Sequence, residues 1–237
     1  MLAPEGRVIM VSGANRGIGR AIAERLHDAG YTLSLGVRDP GSLTDMTHGW
    51  SPDRLFCHHY DAEDKDTHRL WVDDTITRFG RIDGLVNNAG MVVRVTVEID
   101  RDEELDRMWA VNVKAPLSMI RLALPHLRKS GAGRIINVAS IAGKAVYNNN
   151  VGYAMTKFAA VALSHATRHC GWDDGVRCTA LCPGFVATDM TADVTTFPHE
   201  QMMEPGDIAE LAATLIALSN TASIAELVIN CRNDVTL

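Results

Sequence analysis

Short apolar segments alternate with longer amphipathic segments along the chain, and the two patterns predict different elements. Runs that are apolar and rich in β-branched residues predict buried strands over residues 7–12, 31–37, 54–60, 84–86, 134–139, 176–182 and 226–231. Apolar positions three or four apart predict helices over residues 17–29, 65–79, 103–129 (interrupted at Pro116 and Pro125), 152–170 and 207–218. Strands that alternate with helices favour a parallel sheet covered on both faces. We therefore predict an α/β fold, a doubly wound parallel sheet of about seven strands.

Composition and charge narrow the class of protein. The 237 residues are 46% hydrophobic and 22% charged, and no linker or low-complexity tract divides them, which predicts a single domain over residues 1–237. The net charge of −6 and the lack of basic runs argue against nucleic acid or an acidic membrane as a partner. No apolar stretch approaches the ~20 residues of a membrane span, and the N-terminal residues are typical of a strand rather than a signal peptide.

The cysteine and histidine positions predict neither a disulfide framework nor a metal site. Five scattered cysteines, an odd number, favour the reducing cytosol, so we expect a cytoplasmic protein. His165 and His169 are four residues apart on a predicted helix, but no third ligand follows at a suitable spacing. We expect these histidines to lie on a solvated face and no metal to be bound.

A glycine-rich loop joins the first predicted strand to the first predicted helix. It reads Ser12-Gly13-Ala14-Asn15-Arg16-Gly17-Ile18-Gly19. Glycines at such a junction allow a tight turn and a close approach of backbone to a pyrophosphate, which the positive end of the helix also attracts. The spacing differs from the Gly-x-Gly-x-x-Gly of most dinucleotide folds, and a merely structural turn is the alternative interpretation. In its strand-to-helix context, the loop predicts a dinucleotide site.

Tyr153 and Lys157 are four residues apart and therefore lie on one face of a predicted helix. A phenol titrates near ~10 when unperturbed, and a neighbouring ammonium favours the phenolate. We therefore expect Lys157 to lower the pKa of Tyr153 toward the range that suits proton transfer. Ser140 follows a buried strand, where its hydroxyl can polarise a substrate oxygen. A Tyr-x-x-x-Lys pair alone is common on helices, but with Ser140 and the glycine loop it predicts a catalytic site.

These motifs, in this order and separation, resemble the short-chain dehydrogenase/reductase family over almost the whole chain. Asn112, Ser140, Tyr153 and Lys157 match the family's catalytic positions. The resemblance implies that Lys157 also holds the nicotinamide ribose and that Asn112 anchors a proton-relaying water, although Asn112 can instead be a helix N-cap. It further implies a Rossmann-type fold, an oxidoreductase that acts on carbonyl or alcohol groups, and a homodimer or homotetramer.

The resemblance also assigns a cofactor site. Besides Tyr153 and Lys157, the matching positions are Gly13, Asn15, Arg16, Gly17, Ile18, Gly19, Arg38, Asp61, Ala62, Asn88, Ala89, Gly90, Pro183, Gly184, Val186 and Thr188. Asp61 and Ala62 resemble the pair that receives the adenine ring, and residues 183–188 resemble the segment that covers the nicotinamide.

The end of the second strand predicts which nicotinamide cofactor is used. Relatives that prefer NAD carry an acid where this chain has Val37, and the next residue is Arg38. Because arginine accepts the 2′-phosphate of NADP and an acid repels it, Arg38 and Arg16 predict NADP(H) over NAD(H). Asp39 is the opposing signal, since a shift of one residue would bring its carboxylate to the ribose.

The substrate side is the least specific part of the sequence. Residues 185–205 predict a partial lid over a mostly apolar pocket, with Asn148, Lys144 and Arg94 as candidate polar anchors. Residues 229–237 lack the Asp-Gly-Gly stretch typical of ketoacyl-reductase-like members and look more like small hydroxy-acid or broad carbonyl reductases.

Together these features predict an NADP(H)-dependent oxidoreductase acting on a small carbonyl or alcohol, with Tyr153 as general acid and base. The alternatives are a 3-ketoacyl-reductase-like enzyme, a dehydratase or epimerase on the same scaffold, and a non-catalytic dinucleotide-binding regulatory protein.

Overall fold

The computed structural model describes residues 1–233, and its centre is one parallel sheet. The strands are β1 (Val8–Ser12), β2 (Thr32–Val37), β3 (Leu55–His59), β4 (Gly84–Asn87), β5 (Arg134–Val138), β6 (Arg177–Pro183) and β7 (Glu226–Ile229). Their order in the sheet is β3-β2-β1-β4-β5-β6-β7, and every neighbouring pair is parallel. The predicted fold class is confirmed. Residues 234–237, the end of the predicted C-terminal segment, lie outside the described residues.

Helices cover both faces of this sheet. They are α1 (Gly17–Asp28), α2 (Thr44–Thr47), α3 (Lys65–Phe79), α4 (Asp102–Trp109), α5 (Ala115–Lys129), α6 (Val151–Gly171) and α7 (Pro205–Ala217). Helices α1 and α7 pack together and share a core cluster with β1 and β2, while α3 and α5 share a second cluster with β4 and β5. Because both faces are covered, β1 and β2 are buried at every position, which explains why β1 is a nearly continuous apolar run and why the alternate residues of β2 are small.

The long helix predicted over residues 103–129 is divided, but its two prolines do not divide it. A π-helical turn, Ala110–Lys114, separates α4 from α5. Pro116 lies two residues beyond this turn, at the second position of α5. Pro125 lies inside α5 on its exposed side, and the carbonyl of Arg121 that it leaves without an N–H donor is also exposed to solvent.

Two buried arginines at the amino-terminal edge of the sheet hold α7 in place. The Arg134 guanidinium donates to the carbonyl oxygen of Leu218, just beyond the end of α7, at 2.7 Å, and Arg7 donates to that of Ile216 at 3.0 Å. Burial lowers the pKa of Arg134 to about 10. Since helix ends leave carbonyl oxygens without N–H partners, these side chains satisfy groups that would otherwise be buried alone.

None of the helices in this part of the chain is long and apolar enough to cross a membrane. Residues 1–233 also contain no group of three His, Cys, Asp or Glu side chains placed to hold a metal ion.

Candidate active site

A cleft of about 1090 Å³ opens at the carboxyl ends of the strands. In open α/β sheets this edge is where ligands bind, beside the point at which strand order reverses, here between β1 and β4. The sequence-predicted residues that line it are Gly13, Asn15, Arg16, Gly17, Ile18, Arg38, Asp61, Ala62, Asn88, Ala89, Gly90, Ser140, Tyr153, Lys157, Pro183, Gly184, Val186 and Thr188. Gly19 and Asn112 lie behind the wall and support it.

The glycine loop needs its glycines for backbone conformation and for space. Gly13 and Gly17 have φ angles of +67° and +52°, which favour glycine. A Cβ on Gly19 would lie 2.2 Å from the carbonyl oxygen of Gly13 and 2.3 Å from Nδ2 of Asn88. Helix α1 begins here, its N-cap residue Arg16 makes no side-chain capping bond, and its first two residues, Gly17 and Ile18, line the cleft. Such a helix end fits the pyrophosphate of a dinucleotide.

Asn88 and Ser12 join the loop after β1 to the loop after β4. The Asn88 side-chain amide donates to the carbonyl oxygens of Ser12 at 3.0 Å and Gly13 at 3.1 Å. In return, the Ser12 hydroxyl accepts the backbone N–H groups of Asn88 at 3.0 Å and Ala89 at 3.1 Å. These four bonds satisfy backbone groups beyond the ends of the strands and fix the distance between the two loops.

The predicted catalytic residues converge on one wall of the cleft. Lys157 is buried on α6 and donates from Nζ to the carbonyl oxygen of Val138, the last residue of β5, at 2.9 Å. The Lys157 Nζ lies 5.6 Å from the ring centroid of Tyr153, one helical turn away. Ser140 donates to the carbonyl oxygen of Pro183 at 3.4 Å and also hydrogen-bonds with Tyr153. Strands β5 and β6 and helix α6 thus bring the three side chains together.

The pKa of Tyr153 differs from the sequence-based expectation. Burial raises it to about 12, and the hydrogen bond with Ser140 only partly opposes that rise. Burial also lowers the pKa of Lys157 to about 8. The expected lowering of the Tyr153 pKa by Lys157 is therefore wrong for the chain without ligands, because burial of the phenol disfavours its charged form. At neutral pH the phenol keeps its proton.

Asn112 is not a helix N-cap, which the sequence left open. It lies inside the π-helical turn between α4 and α5, and its amide binds both backbone groups of Met91, accepting N–H and donating to the carbonyl oxygen at 2.9 Å each. Its Nδ2 also donates to Oγ1 of Thr156 at 3.1 Å. Asn112 therefore ties the segment after β4 to the helix that carries Tyr153 and Lys157. The role of Thr156 had no sequence signal.

The far end of the cleft carries several charges. Arg38 and Arg16 both line it, and Arg16 is paired with Asp189 of the lid at 3.3 Å. The carboxylate of Asp39 accepts the backbone N–H of Gly41 at 2.9 Å and caps the following turn.

An ion pair that the sequence analysis missed lies at the same end. The guanidinium of Arg107 binds both carboxylate oxygens of Glu63 at 3.1 Å, and both residues line the cleft. This pair links α4 to the segment that carries Asp61 and Ala62, where the adenine ring is expected.

Two of the three candidate substrate anchors have other partners. Lys144 pairs with Glu226 of β7, whose carboxylate also accepts a hydrogen bond from His165 Nε2 at 2.6 Å. His165 is therefore not merely a solvated histidine. Arg94 hydrogen-bonds with Asn149 and is not among the residues that line the cleft.

The predicted lid and the third anchor do border the substrate side. Asn148 lines the cleft. In the lid, residues 185–205, Phe185 stacks on Phe197 with 5.5 Å between ring centroids, and Val186 pairs with Met203 in a β-bridge.

Comparison with known proteins identifies the family. Residues 7–198 match the family model described as short chain dehydrogenase. The chain belongs to the short-chain dehydrogenase family. This membership confirms the predicted family and enzyme class, and it agrees with the strand order and the position of the cleft.

Similar proteins include reductases and dehydrogenases. An agropine synthesis reductase of Rhizobium rhizogenes is 43% identical over 230 residues, which are 96% of this chain and 53% of that protein. The chain thus spans about half the length of this relative. An uncharacterized oxidoreductase of Staphylococcus saprophyticus is 32% identical over 207 residues, 86% of this chain and 82% of its own length.

Solved structures of the same fold cover nearly the whole chain. An alcohol dehydrogenase from the archaeon Thermococcus sibiricus, complexed with 5-hydroxy-NADP, has a TM-score of 0.86 at 30% identity and covers 94% of this chain and 95% of its own. Levodione reductase has a TM-score of 0.85 at 26% identity and covers 95% of this chain and 96% of its own.

The glycine loop gives a direct prediction. We expect Gly19→Ala to weaken NADPH binding roughly 10- to 100-fold, because overpacking of ~1–3 kcal/mol must displace Gly13 or Asn88. Gly206→Ala is the matched control, since a Cβ there meets nothing within 4 Å. Fluorescence titration with NADPH measures both variants. Equal affinity in the two would show that the loop does not form the cofactor site.

Proposed function

We propose that the chain is an NADP(H)-dependent oxidoreductase that reduces a small carbonyl compound, with Tyr153 as the proton donor. The observation that carries this proposal is that Ser140, Tyr153 and Lys157 line the same cleft as the glycine loop. A non-catalytic dinucleotide-binding protein would need the loop but not the converging serine, tyrosine and lysine. Several predicted site residues thus share one cavity with space for a dinucleotide and a small substrate.

The residues fit a nicotinamide dinucleotide. The Gly13–Gly19 backbone leaves a concave surface that a Cβ at Gly19 would close, and the N-terminus of α1 favours an anionic group beside it. When bound, the cofactor supplies the two electrons for reduction at the carbonyl carbon. Lys157 and Asn88 belong to the walls on either side of that position, and we assign Lys157 to the nicotinamide ribose.

Tyr153 and Ser140 donate to the carbonyl oxygen of the substrate. With its pKa raised to about 12, Tyr153 is a neutral phenol at physiological pH and is ready to donate a proton to the oxygen as negative charge develops there. The single hydroxyl proton of Ser140, which is donated to the Pro183 carbonyl oxygen in the chain without ligands, turns to the same substrate oxygen and stabilises that charge. The reverse reaction, oxidation of the alcohol, requires the phenolate, which burial disfavours in the chain without ligands, so we expect oxidation to become faster as the pH rises.

Lys157 restores the proton. Its buried ammonium, with a pKa lowered to about 8, is mostly charged at pH 7 and stabilises the tyrosinate that remains after proton donation. Asn112 holds Met91 and Thr156 around this lysine, and we assign to it the support of a proton path from solvent to Lys157.

We infer a preference for NADP(H) from the charges at the end of β2. Arg38 and Arg16 both line the cleft there, whereas the carboxylate of Asp39 is engaged in capping the next turn. The planar N–H fork of an arginine matches a phosphate. A carboxylate that already accepts a backbone hydrogen bond opposes phosphate binding less than a free carboxylate. The Thermococcus sibiricus dehydrogenase, whose structure contains an NADP derivative, supports this inference.

We also propose a homodimer or homotetramer in the cytoplasm. Helix α6 exposes Met155 and Phe158, at 40% and 43%, on the side away from the sheet, which a second subunit can cover. All five cysteines are free thiols, as expected in a reducing compartment.

The proton donor is tested by substitution. We expect Tyr153→Phe to lower kcat for carbonyl reduction roughly 10²- to 10⁴-fold while the Kd for NADPH changes little, since only the general acid is removed. Lys157→Ala should weaken both kcat and NADPH binding. Tyr31→Phe, at the opposite edge of the sheet, is the control. Wild-type turnover in the Tyr153→Phe enzyme would contradict the proposed mechanism.

The cofactor preference is tested at Arg38. We expect wild-type kcat/KM to favour NADPH over NADH, and Arg38→Leu to lower the value for NADPH roughly tenfold with little change for NADH, because one charge-assisted contact to phosphate is lost. Arg20→Leu is the control, since Arg20 pairs with Glu24 on the exposed face of α1 and does not line the cleft. A wild-type preference for NADH would reject the inference.

A further inference from the structure

Arg232 lies at the mouth of the cleft, on the substrate side. Strand β7 is parallel to β6, with Ile229 in register with Pro183, so the chain after β7 leaves the sheet beside the segment that follows Pro183. The backbone N–H of Gly184 donates to the carbonyl oxygen of Ile229 at 2.8 Å and holds the two segments together. Arg232 lines the cleft, and its guanidinium carbon is 5.9 Å from the ring centroid of Phe185.

Phe185 connects this guanidinium to the catalytic side chains. It is two residues beyond Pro183, whose carbonyl oxygen accepts a hydrogen bond from Ser140. It also stacks on Phe197 of the lid. The arginine therefore lies between the lid and the wall that carries Ser140, in the part of the sequence that departs from the Asp-Gly-Gly pattern.

The charges that line the cleft are unevenly distributed. Among the described residues, the carboxylates in its lining are Asp39, Asp61, Glu63 and Asp189. The first three belong to the adenosine end, after β2 and β3, and the fourth is paired with Arg16 of the glycine loop.

The Ser140 end is therefore positive. Within residues 1–233, Lys157 and Arg232 are the ionisable cations that line it, whereas its other lining residues include neutral amides and hydroxyls such as Asn148, Asn150 and Tyr147. A low-dielectric cleft with one sign of charge concentrates substrates of the opposite sign.

We propose that Arg232 binds a carboxylate of the substrate, so that the enzyme reduces a carbonyl compound that also carries an acid group. A guanidinium presents five N–H donors in a planar fork that matches a carboxylate, and it can do so alongside its other contacts. The Phe185 ring, 5.9 Å from the guanidinium carbon, places this fork beside the segment that follows Pro183. The inference rests on the proposed function, because it names the substrate class of that site.

A phosphate of the cofactor is the other anion that an arginine in this cleft could bind. The two sources differ in what the loss of Arg232 should change. If the substrate carboxylate is the ligand, affinity for acids falls and affinity for the cofactor does not. If a cofactor phosphate is the ligand, the Kd for NADPH rises, whichever substrate is tested.

Matched pairs of acid and neutral carbonyl compounds test the proposal. The probes are levulinate with methyl levulinate, acetoacetate with acetoacetamide, and pyruvate with pyruvamide, each reduced with NADPH by the full chain. We expect the wild type to favour the acid of at least one pair in kcat/KM. Arg232→Gln should lower the value for that acid roughly tenfold, the loss of one charge-assisted hydrogen-bonding contact, and leave the neutral partner within about twofold.

Two variants separate charge from packing. Arg232→Lys keeps the charge and should retain part of the preference for the acid. Arg94→Gln removes an exposed arginine outside the lining of the cleft and should behave as wild type. Thermal unfolding of each variant verifies that the fold is intact.

A binding measurement keeps the proposal testable without turnover. Calorimetric titration of the same acids and neutral partners into enzyme saturated with NADP+ should show weaker binding of the acid alone in Arg232→Gln, with the Kd for NADPH unchanged. Acids that bind no better than their neutral partners, or that bind equally well to Arg232→Gln, would overturn the proposal. A raised Kd for NADPH would also overturn it and identify a cofactor phosphate as the ligand.

The proposed function fails by a different result. If the wild type binds NADPH but reduces none of the probes, the reductase assignment is contradicted, whereas the role of Arg232 is still decided by the calorimetric titrations.

Discussion

The gap between the loops that follow β1 and β4 is the constraint on which the site depends. From these two neighbouring strands the chain leaves toward opposite faces of the sheet, so the loops beyond them have no strand to pair with. Asn88 and Ser12 replace that pairing with four hydrogen bonds. Gly19 lies directly behind the same bonds, which is why a side chain there would push on both loops. The cleft keeps its shape because its narrowest point is fixed by side chains rather than by the sheet.

A second constraint is the burial of two ionisable groups, the phenol of Tyr153 and the amine of Lys157. Removing Tyr153 from water favours the neutral phenol, and removing Lys157 from water favours the neutral amine. The Val138 carbonyl oxygen and the Ser140 hydroxyl each compensate part of that cost. The chain without ligands is therefore prepared to give a proton rather than to take one. This bias follows from burial and does not require any change in the spacing of the two residues along α6.

Much of the fold and of the cofactor site could be predicted from the sequence, because their signals are local. Strand and helix patterns, the glycine loop, and the four-residue spacing of Tyr153 and Lys157 each depend on residues that are close in the chain. The π-helical turn around Asn112 could not be located in this way, since α-helical and π-helical turns have the same apolar pattern. The sequence pointed to Pro116 instead, which lies two residues beyond the turn.

The substrate side was predicted least well because its contacts join distant parts of the chain. Lys144 looked like an anchor, yet its partner Glu226 is 82 residues away on the edge strand. The same carboxylate also holds His165, from a third element. The sequence showed only that residues 229–237 form an unusual C-terminal segment. The position of Arg232 in the cleft depends on the register of β7 against β6. Burial raises the pKa of Tyr153, whereas the neighbouring Lys157 suggested a lowered pKa. The spacing of two residues along the chain does not reveal how deeply they are buried.

The central claim is that this cleft transfers hydrogen from a nicotinamide to a carbonyl carbon. The most direct test is to incubate the chain with NADPH that carries deuterium at both positions of C4 of the nicotinamide, together with a panel of aldehydes, ketones and keto acids, and to analyse the products by mass spectrometry. The account predicts an alcohol with deuterium on the former carbonyl carbon. If NADPH binds in the cleft but no compound in the panel acquires deuterium, the account is contradicted, and the site is one that holds a dinucleotide without using it.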